Sequence, residues 1–224
     1  MRRYVYLIAV LIFMNIKGVS GKGIIAGING ICYYSPLNQL NNYITKHDYE
    51  KLKLGAEAGI SGLYLLNSRL GLRMNIYYYS ARSSRDNAKI ETQDQGYYYV
   101  SNEYKLSSTG IFLNILYFFT PKRKVAYYTG AGIGLNNVKV EYFYQYKLSE
   151  NDTYSDKVTG TDNTTAYGAQ LILGLYYFLT RSRRFSLNTE IDLRLIDFKI
   201  STDSGEEKAG FSGAAFIIGL NLHI

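Results

Sequence analysis

The sequence predicts an all-β chain: an eight-stranded antiparallel up-and-down transmembrane β-barrel. The first observation is alternation. In 51–64, Leu52, Leu54, Ala56, Ala58, Ile60, Gly62 and Tyr64 oppose Lys51, Lys53 and Glu57. In 69–78 and 185–195, apolar residues again oppose Arg69 and Arg73, or Asn188, Glu190, Asp192 and Arg194. Side chains alternate across a strand, so each segment has one apolar and one polar face. The second observation is loop rhythm: short connections at 66–68, 120–124 and 180–184 alternate with long ones at 35–50, 81–103, 137–164 and 197–209. That asymmetry suits short periplasmic turns and long extracellular loops. The third is composition, with 24 tyrosines, 21 glycines and 2 prolines, which favours strands and disfavours helical breaks.

Taken in order, 1–21 reads as an export signal: Arg2 and Arg3, an apolar run to Ile16, then Gly18-Val19-Ser20-Gly21. The run is too short to span a bilayer as a helix. The barrel domain is then 22–224. Removing Arg2, Arg3 and Lys17 lowers the net charge from +7 to +4, which is no nucleic-acid signature. Cys32 stands alone, so no internal disulfide forms.

Eight strands are expected at 23–34, 51–65, 69–80, 104–119, 125–136, 165–179, 185–196 and 210–224, each long enough for a tilted crossing. In 125–136 the outward set is Val125, Tyr127, Thr129, Ala131, Ile133 and Leu135, with Gly130, Gly132 and Gly134 inward. In 165–178 Tyr167, Leu171, Leu173 and Tyr177 oppose Gly168, Gln170 and Gly174, and the last strand puts Phe216, Ile218, Leu220 and Leu222 outward. Segment 104–119 fits least well, because Phe112, Leu116 and Phe118 share the inward parity of Asn114. The glycine-rich polar face and the tyrosines near strand ends favour a membrane barrel over a soluble one. The stretches 97–104 and 138–146 continue the alternation and are expected to raise a sheet above the membrane; the alternative is a ten-stranded barrel. The tips Arg82–Ala88 and Glu150–Thr165 are expected to be polar, mobile loops.

The Tyr-Tyr-Thr-Gly-Ala-Gly-Ile-Gly-Leu run at 127–135, the loop rhythm and the closing strand Phe216–Ile224 resemble the small eight-stranded outer-membrane barrels of the OmpX and OmpA type. The resemblance spans 22–224 and departs from the family in ending on Ile224 rather than an aromatic. It implies an outer-membrane location, a monomer in contact with lipid, assembly by machinery that reads the last strand, and a non-enzymatic surface role. An extracellular partner would meet the loops 81–103 and 137–164.

The candidate site is a set of inward charges, Glu57, Arg69, Arg73, Glu190, Asp192 and Arg194, in a lumen that holds little beyond side chains. Burial makes ion pairing the expected solution. Such a network is either a plug or the gate of a narrow channel for ions or small solutes. Catalysis finds little support: the histidines are His47, beside Asp48 in the first loop, and His223, read as a satisfied interior histidine near the periplasmic end, and no His-x-Ser pattern or inward serine pairing picks out a nucleophile. Asp152, Asp156 and Asp162 lack calcium-loop spacing, and no cofactor is expected. The basic turns at 122–124 and 181–184 read as polar turns at the lipid surface.

Overall fold

The computed structural model describes residues 23–34, 41–42, 45, 50–52, 55–92, 96–120, 124–180, 182–202, 205–210 and 212–224. The expected signal 1–21, His47–Asp48, Lys53 and Lys122–Arg123 lie outside these residues. Nine strand segments occur among the described residues: β1 (Ile24–Tyr34), β2 (Gly55–Leu65), β3 (Leu70–Thr92), β4 (Gly96–Phe118), β5 (Val125–Lys147), β6 (Val158–Phe178), β7 (Phe185–Thr202), β8 (Gly205–Gly210) and β9 (Gly213–His223). β8 and β9 form one wall, because Arg194↔Gly213 and Asp197↔Gly210 keep the same register along β7. Neighbours in sequence pair antiparallel, β6 joins β7, and β1 joins β9 to close the ring. The result is eight up-and-down walls.

Register fixes the barrel's dimensions. A path across paired residues runs Ile24, Tyr64, Leu72, Ile115, Ala131, Leu171, Leu193 and Ala214, and returns to β1 at Tyr34, ten residues beyond its start. A shear of ten over eight strands implies a tilt of about 41° and a backbone radius of about 8 Å. Such a lumen has space for side chains and little more.

The outer face between Tyr167 and Tyr177 on β6 carries Ala169, Leu171, Leu173 and Leu175, and no charge. At that tilt the two tyrosines are about 25 Å apart along the axis, the height of a lipid-facing band. Ile28, Ile133 and Leu220 extend the same exposed apolar belt around the ring.

The inner face is a mosaic of glycines and bulky partners. Gly130, Gly132 and Gly134 of β5 pair with Leu116, Asn114 and Phe112 of β4. Each glycine leaves the volume its neighbour fills, which explains why the polar face of the sequence is glycine-rich.

Several boundaries differ from expectation. β2 begins at Gly55 rather than 51: Leu52 lies below the mouth, buried, its backbone held by Asn41 through bonds of 2.8 and 3.0 Å. Its outward parity fails because it precedes the strand. Arg82–Ala88 lies within β3, and 158–165 within β6, where loop tips were expected. Water on both sides of a sheet removes the apolar signal, but backbone pairing with β4 and β5 continues. One bulge interrupts it, where Asp86 and Asn87 oppose Ser101 and Asn87 adopts φ 51°. Asparagine tolerates that left-handed conformation.

Candidate functional site

Two regions qualify as sites: the filled lumen and the sheet raised beyond the membrane. Inward side chains arrange the lumen in three layers. At the end with short turns, Ile25, Leu63, Leu116, Phe118, Tyr128, Ile172 and Tyr176 form an apolar layer. Its rings stack closely, with Tyr128 and Tyr176 centroids 4.8 Å apart. At the end with long loops, Leu52, Tyr77, Tyr79, Tyr104, Leu106, Phe112, Val138 and Ile196 form a second apolar layer. The inward parity of Phe112, Leu116 and Phe118, awkward in the sequence, is what builds these layers.

Charges lie between them. Arg73 donates to both carboxylate oxygens of Glu190, at 2.7 and 2.8 Å. Arg194 donates to Glu57 at 2.6 Å and to Asp192 at 3.0 Å, and its guanidinium lies 4.6 Å from the Tyr77 ring centre. Asn221 donates to Asn188, which donates to Glu190. All five ionisable residues are at most 5% exposed. Planar guanidiniums suit this crowded geometry because each fork meets carboxylate oxygens directly.

Arg69 does not join them. It precedes β3 on the exposed turn and reaches the Tyr117 hydroxyl at 3.4 Å. The expected inward position fails because Arg69 lies on the turn before β3, beyond the lumen's end, and its side chain meets the outward-facing Tyr117. A cavity of about 10 Å³ beside Asn29, Glu57 and Asn75 is no larger than one water needs. At the level of the ion pairs, that cavity is room for one water among closely packed side chains.

His223, expected as a satisfied interior histidine, has an inward serine as its partner. Ser186 Oγ and His223 Nε2 are 2.7 Å apart near the short-turn end. The register pairs Ser186 with Asn221, so His223 is a diagonal neighbour that linear spacing does not reveal. The imidazole packs against Phe178 and Tyr176, and Ser186 is fully buried, which suits a structural hydrogen bond. Asp152, Asp156 and Asp162 do not converge: among the described residues no group of three His, Cys, Asp or Glu is placed to hold an ion.

The second region is the upper half of β3 to β6. Pairing of β2 with β3 ends at Gly55↔Ala81, and pairing of β6 with β7 ends at Tyr167↔Asp197. Above those points the four strands continue as a sheet with two edges. The first loop touches one edge, where Ser83 donates to the Glu50 carbonyl at 2.7 Å. Among the described residues no strand pairs with the other edge, residues 158–166 of β6. Beyond Asp197, β7 pairs with β8 instead. The sheet's tip is tied down: Tyr154 donates to Asn87 at 3.1 Å, and Lys147 lies over the Tyr154 and Tyr99 rings. Cation–π contacts and an exposed Tyr97 and Tyr146 give this region an aromatic surface.

No protein-family model matches the chain, and no curated protein does. Solved structures do. The outer membrane protein OprG from Pseudomonas aeruginosa aligns over 91% of this chain and 96% of its own, with 11% identity and a TM-score of 0.52. Neisserial surface protein A aligns over 92% and 99%, with 18% identity and a TM-score of 0.48. The N-terminal β-barrel domain of Pseudomonas aeruginosa OprF aligns over 89% and 97%, with 15% identity and a TM-score of 0.43. Ring closure, the apolar belt and the likeness to OprG together give the chain the fold of the small eight-stranded outer-membrane β-barrels.

Proposed function

We propose that the protein is a monomeric, non-enzymatic outer-membrane barrel that displays an extracellular sheet to a surface partner. The observation that carries this reading is the β6 edge at 158–166, unpaired among the described residues and raised above a lumen that two apolar layers fill at its ends. A free edge presents a row of backbone donors and acceptors, and an extended segment of another protein can add to it as a further strand. Lipid holds the barrel, the signal 1–21 exports it, and assembly machinery reads β9. Adhesion, or attachment to another protein, is the activity this arrangement serves.

The test is deletion of 139–160. Val138 pairs with Thr164, so the deletion leaves a three-residue connection and spares the membrane walls. Cells displaying the shortened barrel should keep the heat-sensitive gel shift of a folded barrel and lose adhesion to epithelial monolayers and immobilised matrix proteins. Unchanged adhesion would remove the sheet from the account. The second reading, an ion channel gated by partner exchange among Arg73, Arg194 and their carboxylates, draws on the same ion pairs. The apolar layers on both sides of them favour closure.

A further inference from the structure

Just above the lipid belt, the outer wall of β3 to β6 contains a groove of about 580 Å³. Register places its side chains in rows. The row Ile76, Ile111, Leu135 and Tyr167 belongs to the apolar belt. Above it run Tyr78, Thr109, Asn137 and Thr165, then Ser80, Ser107, Lys139 and Asn163, then Arg82, Lys105, Glu141 and Thr161. The wall therefore changes within two residues from lipid-facing hydrocarbon to hydroxyls, amides and ammonium groups.

The charges in the groove are organised. Glu141 accepts from Lys139 and lies 3.5 Å from the Lys105 ammonium, so one carboxylate holds two cations side by side. The hydrogen bond from Lys139 keeps the Glu141 carboxyl below its usual range, so it stays ionised at neutral pH. Ser107 points outward yet is 8% exposed, because it forms the floor beneath them. Two ammoniums against one carboxylate leave a net positive site, and Tyr78 supplies a ring at its lower rim.

We propose that this groove binds the phosphorylated sugar headgroup of an outer-leaflet glycolipid, with the phosphate between Lys105 and Lys139. Its place decides the occupant. A headgroup whose acyl chains lie against Ile111 and Leu135 brings its phosphate to the height of the lysines, and its sugar hydroxyls meet Thr109, Asn137 and Asn163. Lysine suits a phosphate approached from the membrane surface because its flexible stem follows a mobile charge. This inference rests on the outer-membrane placement proposed above.

The probe is bisphosphorylated lipid A, added to the intact, refolded protein in detergent micelles and followed as bound adducts by native mass spectrometry. Dephosphorylated lipid A and phosphatidylglycerol serve as comparators. Lipid A should bind in preference to both. Loss of each lysine should weaken it about fivefold, and Lys105→Ala with Lys139→Ala about thirtyfold. Glu141→Gln should strengthen it, whereas a residue needed only to hold the sheet together would weaken it. Equal binding of phosphatidylglycerol, or insensitivity to the double lysine variant, overturns the proposal. A folded, vesicle-inserted barrel that binds no lipid A overturns it too, while leaving the membrane placement intact. Failure to insert into phosphatidylcholine vesicles would instead refute the placement, and the proposal with it.

Discussion

Replacing Arg73 by alanine should destabilise the barrel by about 3–5 kcal/mol, because it strands a buried carboxylate. Both oxygens of Glu190 face the Arg73 fork, and once the guanidinium is gone the Asn188 amide is left to donate to a carboxylate that had two charged donors. No bulk water compensates, since both residues are about 2% exposed and apolar layers close the lumen above and below. Replacing the pair together, as Arg73→Met with Glu190→Leu, should recover most of the loss, because a matched apolar pair leaves no orphaned charge. Urea unfolding in phospholipid vesicles measures both. A loss below about 1 kcal/mol for Arg73→Ala would mean that water reaches Glu190.

Gly134→Leu should leave no folded barrel. A β-carbon there would come within 2.5 Å of the Ile111 carbonyl oxygen and 2.6 Å of the Phe112 ring. The ring has nowhere to retreat: it is fully buried, lies 5.8 Å from Tyr77, and packs within the upper apolar layer. Gly134→Ala forces smaller shifts and should cost about 1–3 kcal/mol, the usual range for overpacking. Adding Phe112→Ala to Gly134→Leu should restore only part of the folded fraction, because the backbone carbonyl still obstructs. The heat-sensitive shift on a gel counts folded molecules directly. Wild-type folding of Gly134→Leu would show that β4 and β5 do not approach as closely as the register requires.

These two sites show what the sequence makes legible and what it withholds. Period-two alternation assigned Leu171, Ile133 and Ile218 to the outside and Arg73, Glu190 and Asp192 to the inside, because one parity faces lipid and the other a narrow lumen. Parity carries no information about height. Arg69 and Arg73 share a parity four residues apart, yet one lies on a turn and the other is 2% exposed. Height follows from register across eight walls, which no local pattern contains. For the same reason Glu57 and Arg194, 137 residues apart, meet only once the ring closes. The apolar layers that flank the charges were hidden by the expectation that inward means polar. Phe112, Leu116 and Phe118 were the signal, since three large apolar side chains on one inward face need partners across the lumen. The raised sheet was only partly legible. Val138–Tyr146 alternates, but 82–92 and 158–165 are mostly polar on both faces, so no apolar face marks them as strands, although backbone pairing with β4 and β5 continues.

Whether the filled lumen conducts separates the display reading from the channel reading, and conductance tests it most directly. Residues 22–224, refolded and inserted into a planar bilayer, should give a silent record across the voltage range, with insertion confirmed by the gel shift and by protease protection. Discrete, voltage-reproducible openings that change with Arg73→Ala would contradict the account, and would make the Arg73–Glu190 and Arg194–Glu57 pairs a gate.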